Sequence, residues 1–204
     1  MQLNLFDEVR STSPPPSLIE YRPDFINATD SYLILEKFNT ELPWEQTTRI
    51  MYGKKVVTPR LTLWYGDPAA NYSLTGSPAY PLPWTKELMI IKNKVDALAG
   101  VSFNSVLLNL YRDGKDSVAW HSDNDGIPGR NKIVASVSFG EQRIFEFRNR
   151  RDHVMKYSMI LGNGSYLLMK GNFQDEWEHR VPKSSKVLKP RVNLTFRIMP
   201  LKIK

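Results

Sequence analysis

The chain has 204 residues, 41% of them hydrophobic, which is enough for one sizeable core and sets it among folded rather than disordered proteins. It holds no cysteine, so a disulfide framework and every thiolate metal site are excluded, and no apolar run approaches the roughly 18 residues of a membrane span. Lysine and arginine outnumber aspartate and glutamate by 28 to 21, and the net charge of +7 suits a polyanionic partner such as nucleic acid.

In chain order, Ser11–Ser17 (STSPPPS) reads as a stiff linker, which makes residues 1–17 a flexible tail and residues 18–204 the domain. Met1–Arg10 lacks the basic-then-apolar order of a signal peptide, so the expectation is a soluble protein, cytoplasmic in a bacterium or nuclear in a eukaryote. A first helix is predicted over Asp30–Glu41, with Leu33, Leu35 and Phe38 on it and Thr29 or Asp30 as cap. A second follows Pro83. Thr85 caps it, Leu88, Ile91, Val95 and Leu98 recur at helical spacing, and Gly100 stops it. From Ser105 the pattern turns to strands: Ser105–Tyr111, Ile133–Phe139, Ile144–Arg148, Val154–Leu161, Ser165–Lys170 and Arg191–Met199 are short and rich in β-branched or aromatic residues. Early helices followed by many strands predict an α+β fold, a double-stranded β-helix or jelly roll backed by N-terminal helices, with a cleft inside.

Trp120-His121-Ser122-Asp123 is expected to be extended, and side chains two apart on a strand share a face, so His121 and Asp123 can grip one ion. The chain has three histidines, so a third ligand comes from His153, His179 or another carboxylate. His179 sits in the run Glu176–Pro182, just after a predicted strand. Two imidazoles and one carboxylate leave coordination positions open, as an oxygen-activating Fe(II) site requires, although zinc hydrolases also use that set.

Arg191-Val192-Asn193-Leu194-Thr195-Phe196-Arg197 alternates without a break. Its polar face is either solvated or turned inward. Inward, its arginines suit a small dicarboxylate, because a guanidinium pairs bidentately with a carboxylate. The Cα atoms of Arg191 and Arg197 are about 20 Å apart on such a strand, so both reach one ligand only if their side chains converge. Asn109-Leu110-Tyr111 alternates in the same way and offers an amide and a phenol.

In this order, the segments PRLTLWYGD, FNSVLLNLYRDGKDSVAWHSDND, ASVSFGEQRIFEFR, GSYLLMKG, WEHRVPK and PRVNLTFR resemble the AlkB family of iron- and 2-oxoglutarate-dependent dioxygenases, over about Met51 to Arg197. The resemblance implies Fe(II) held by His121, Asp123 and His179. It also implies 2-oxoglutarate held by Asn109, Tyr111, Arg191, Asn193 and Arg197, with Arg191 on the distal carboxylate and O2 as the other cosubstrate. The implied reaction decarboxylates the keto acid to succinate and removes an N-methyl group from a base as formaldehyde. The substrate is DNA, single- or double-stranded, or RNA, and the base is flipped out or already unpaired.

On the substrate side the resemblance places Asp125 against the methylated base, where a carboxylate favours cationic 1-methyladenine or 3-methylcytosine. Tyr72 and Arg60 fall in a base-recognition lid over about residues 45–80. Leu74 stands where a relative has a stacking aromatic. Met51–Lys55 is read as a hairpin whose Tyr52 wedges into the base stack. Gln2–Phe6 (QLNLF) is similar to the peptide with which bacterial repair proteins dock on the replication sliding clamp. A related dioxygenase acting on RNA or protein, and a non-catalytic nucleic-acid-binding module, are the alternatives.

Overall fold

The structure, a computed structural model, describes residues 15, 17–51, 54–70, 80–123 and 132–200. Its elements run β1 (Ile19–Arg22), α1 (Ala28–Glu41), β2 (Thr48–Met51), β3 (Lys54–Val57), β4 (Leu61–Gly66), α2 (Lys86–Ala99), β5 (Ser105–Tyr111), β6 (Val118–His121), β7 (Val134–Gly140), β8 (Arg143–Asn149), β9 (Lys156–Leu161), β10 (Tyr166–Met169), α3 (Phe173–Glu176), β11 (Trp177–Val181) and β12 (Arg191–Arg197).

The helices start and stop where local chemistry directs. In α1 the cap is Asn27, upstream of the two expected residues: its side chain accepts from the Asp30 amide at 2.9 Å and donates to the Asp30 carboxylate at 2.8 Å. The helix ends at Leu42, which is extended because Pro43 follows it. In α2 Thr85 accepts from the Leu88 amide, and Gly100 takes the left-handed conformation, φ 68°, that closes the last turn.

Two antiparallel sheets face each other. The larger has the order β1-β10-β7-β12-β5-β4 and the smaller β6-β11-β8-β9. Strand alternation divides the larger sheet into two faces. Val106, Leu108 and Leu110, Val137 and Phe139, and Val192, Leu194 and Phe196 point outward. They form one core with Phe38 of α1 and with Leu88, Ile91 and Val95 of α2. The opposite face contributes Tyr111, Val134, Leu167 and Met169 to a second core, shared with Phe145, Phe147, Trp177 and Val181 of the smaller sheet. This is the helix-backed jelly roll that the sequence predicts.

Three strand readings differ from the structure. His179 lies within β11, not after a strand. The strand predicted from Val154 begins at Lys156, because Asp152 draws Val154 and Met155 into a turn through its carboxylate and its carbonyl. The last strand ends at Arg197, because both backbone groups of Met199 bond the Asn104 side chain instead of a neighbouring strand. β2 and β3 form the predicted hairpin, with Met51 opposite Lys54; Tyr52 lies outside the described residues.

Candidate metal and dicarboxylate site

His121 and His179 are directly opposed on the antiparallel pair β6 and β11, and their ring centroids are 4.2 Å apart. A β-bulge adds one residue to β6 between His121 and Val118, re-aiming the strand at the point where the histidine leaves it. Asp123 follows two residues beyond β6. Its carboxylate lies 3.8 Å from His121 Nε2 and 3.6 Å from His179 Nε2, and the three ligand atoms fall within 4.8 Å of one another. Such spacing fits atoms that share one ion at roughly 2 Å from each. His153 is elsewhere, 3.7 Å from Glu178, and it is His179 that clusters with His121 and Asp123 in a group able to hold a metal ion.

The surroundings prepare these groups. His121 Nδ1 lies 2.9 Å from the Ala119 carbonyl, an arrangement that reserves Nε2 for a metal. Burial, then His121, pushes the His179 pKa down to about 3 against the pull of Asp123, so the imidazole is neutral and able to ligate. Burial alone would raise the Asp123 carboxyl. Arg197 first, then His179, His121 and Arg60, instead hold it down to about 2. The Arg197 guanidinium donates directly to Asp123 Oδ1, and the Gln174 side chain accepts from the Asp123 backbone amide at 2.8 Å. The site is open on one side: the His121 side chain is 38% exposed, that of His179 only 7%.

The polar face of β12 turns inward. Arg191 is 1% exposed, stands opposite Tyr111 on β5 and Gly140 on β7, and donates from Nη2 to Ser138 Oγ and Asn193 Oδ1, both at 2.9 Å. Its Nε and Nη1 are buried with no hydrogen-bond partner, and burial lowers its pKa to about 10. An unsatisfied guanidinium edge in a sheet interior fits a bound carboxylate, since a buried cation without an anion is costly.

The other predicted cosubstrate residues take different positions along the cleft. Asn193 is occupied in holding Arg191, with its oxygen also accepting from Ser136 at 2.8 Å and its amide donating to Thr195 at 3.0 Å. Asn109 accepts from Arg60 Nε at 2.7 Å. Arg60 is 8% exposed, inside the protein beside Asn109 and the Ser117 carbonyl. Arg197 is the metal-side arginine, separated from Arg191 by the length of β12, and its Nε is buried without a partner. Asp125, Tyr72 and Leu74 fall outside the described residues, as do Gln2–Phe6.

Sequence reasoning missed Ser136, Ser138 and Gln174. The serines carried a signal, small hydroxyls at strand spacing in Ala135-Ser136-Val137-Ser138. Gln174 carried none, because it meets Asp123 across 51 residues of sequence.

The chain matches the family model of the 2OG-Fe(II) oxygenase superfamily over residues 19–197. It is 37% identical over 160 residues to the Mus musculus "DNA oxidative demethylase ALKBH2", covering 74% of this chain and 67% of that protein. The chain belongs to the AlkB family. This AlkB-family chain is also 40% identical over 183 residues to the Homo sapiens "Alpha-ketoglutarate-dependent dioxygenase alkB homolog 3", with 86% of the chain and 64% of the relative covered. It therefore spans a little under two thirds of that relative's length. Among solved structures, that of OsALKBH1 superposes with a TM-score of 0.65 at 16% identity, covering 91% of this chain and 100% of that one, which establishes a shared fold.

Proposed function

We propose that the chain is an Fe(II)- and 2-oxoglutarate-dependent oxidative demethylase that repairs N-alkylated bases, 1-methyladenine and 3-methylcytosine, in DNA. The observation that carries this reading is the pairing, inside one jelly roll, of a His-Asp-His cluster with a buried and unsatisfied arginine edge. A structural metal site has no need of an anion pocket, and its ion needs no open positions.

His121, Asp123 and His179 would hold the iron, and Arg191 would hold the distal carboxylate of 2-oxoglutarate, with Tyr111 beside it. With O2, these groups supply the oxidation that converts an N-methyl group on the base into one lost as formaldehyde. The protein's own part is positioning. Arg197 and Gln174 fix Asp123 through its carboxylate and its amide, Ser138 and Asn193 fix Arg191, and the inter-sheet core excludes water from the buried side. His121, on the exposed side, marks where an unpaired base enters.

Asp125 is assigned to the cationic base, and Tyr72 and Tyr52 to the lid and the wedge, from the family pattern. Arg60 is assigned to the lid from the same pattern; its side chain is buried, donates to Asn109 and helps hold the Asp123 pKa down. The net charge of +7 favours a nucleic-acid over a protein substrate. Gln2–Phe6 is assigned to sliding-clamp docking, which loss of clamp binding on Phe6→Ala would support and unchanged binding by a chain starting at Ser17 would refute.

The test is repair itself. Single-stranded and duplex DNA and single-stranded RNA carrying 1-methyladenine or 3-methylcytosine are incubated with protein, Fe(II), 2-oxoglutarate and air, then digested, and the nucleosides are separated. Restored adenine or cytosine in DNA is expected. Restoration in RNA alone would reassign the substrate, and restoration in none would refute the repair reading.

A further inference from the structure

Arg143, the first residue of β8, lies in the segment ASVSFGEQRIFEFR but was given no role there, yet it is 4% exposed and points between the sheets. Its Nη1 donates to the Asp113 carbonyl at 3.2 Å, and its Nη2 to the carbonyls of Asp116 at 2.8 Å and Pro182 at 2.7 Å. These bonds tie the loop between β5 and β6 to the end of β11, so Arg143 joins the two sheets at one end of the cleft. Its Cζ lies 5.4 Å from the centre of the Tyr111 ring, and the Arg191 Cζ lies 5.1 Å from the same ring. Tyr111 is therefore shared by two buried guanidiniums.

The charge balance here is unusual. Among the described residues neither arginine makes an ion pair with a carboxylate; Asp116, whose carbonyl Arg143 binds, gives its carboxylate to Arg112 at 2.8 and 2.9 Å. Carbonyl oxygens take the hydrogen bonds of Arg143, and the nearby Asp116, Asp113 and Glu141 carboxylates offset its charge without forming an ion pair with it. Two cations buried around one phenol ring repel each other and favour an anion beside them. Arg191 offers the free edge where that anion binds.

We propose that Arg143 is the second cation of the cosubstrate pocket: it positions Tyr111 and adds the charge that makes this end of the cleft select a 2-oxo diacid over a 2-oxo monoacid. This rests on the reading of the Arg191 pocket as the 2-oxoglutarate site. A residue that only fastened loops would affect stability and leave that selectivity alone.

The experiment measures binding, not turnover. The whole protein is loaded with Mn(II) in place of iron, and dissociation constants for 2-oxoglutarate and for pyruvate, which lacks the distal carboxylate, are measured by calorimetry in wild type, Arg143→Gln and Arg143→Lys. Wild type is expected to prefer the diacid. Arg143→Gln is expected to weaken 2-oxoglutarate binding about tenfold or more, with pyruvate and Mn(II) affinities within about twofold of wild type. Arg143→Lys, which keeps the charge, is expected to retain most of the preference even where its melting temperature falls, and it carries the test if the glutamine variant does not fold. A preference unchanged in Arg143→Gln, or lost in a folded Arg143→Lys protein, would overturn the inference. Absence of a diacid preference in wild type would instead overturn the pocket assignment on which it rests.

Discussion

Asp123 is fixed from two directions, by Arg197 at its carboxylate and by Gln174 at its backbone amide. Gln174 is 1% exposed, and its own amide reaches the Met169 sulfur at 3.6 Å, so it has little freedom to follow the loop if the loop shifts. Gln174→Ala is expected to weaken Mn(II) affinity about tenfold while leaving the fold intact, because supporting bonds of this kind set ligand orientation. Metal titration checks this, and unchanged affinity would mean that Arg197 alone is sufficient. His179→Ala is expected to abolish turnover and lower metal affinity by at least about tenfold, with far-UV circular dichroism unchanged. Activity surviving that substitution would mean that the third ligand is misassigned. Arg191→Lys keeps a charge but loses the fork with which Arg191 binds Ser138 and Asn193. It is expected to raise KM for 2-oxoglutarate more than it lowers kcat.

At the scale of elements, how much could be read from sequence depended on whether the signal was local. α2 was legible to the residue, since a threonine cap, helical spacing and a left-handed glycine all lie within one segment. β5 was equally clear from its own alternation. β11 was not: it is five residues long, carries polar residues at alternate positions, and is specified by pairing with β6 and β8. Two of the four described glycines with positive φ, Gly100 and Gly164, separate conformational from steric cost. A Cβ at Gly100 meets nothing within 4 Å, whereas at Gly164 it would lie 2.1 Å from the Ile26 carbonyl and 2.6 Å from Ser31 Oγ. Gly100→Ala is therefore expected to cost about 1 kcal/mol, and Gly164→Ala at least about 3 kcal/mol, by urea unfolding. Comparable losses at both positions would show that the loop around Ile26 yields.

Over the whole molecule, the division of labour between the faces of the larger sheet explains why the site was partly visible in advance. One face of β12 packs on the helices with Val192, Leu194 and Phe196, and the other lines the cleft with Arg191, Asn193, Thr195 and Arg197. Alternation announced two faces but could not say which was inward, since a solvated face has the same pattern; burial of both decides it. The ligand triad was half legible, His121 and Asp123 from spacing, while the choice of His179 over His153 came from strand pairing and from family resemblance. The positive charge of the molecule predicts that oligonucleotide affinity falls by at least about tenfold between 50 and 200 mM salt, as measured by fluorescence anisotropy. Salt-independent binding would remove the charge argument for a nucleic-acid substrate.

On the proposed reading, one cleft couples the keto acid at Arg191 to the methylated base near His121. The direct measurement is product stoichiometry: succinate and formaldehyde quantified together after incubation with Fe(II), 2-oxoglutarate and an oligonucleotide carrying 1-methyladenine. The expected result is one succinate for each formaldehyde, with both lost in His179→Ala. Formaldehyde released without 2-oxoglutarate, or at an undiminished rate by His179→Ala, would contradict the account.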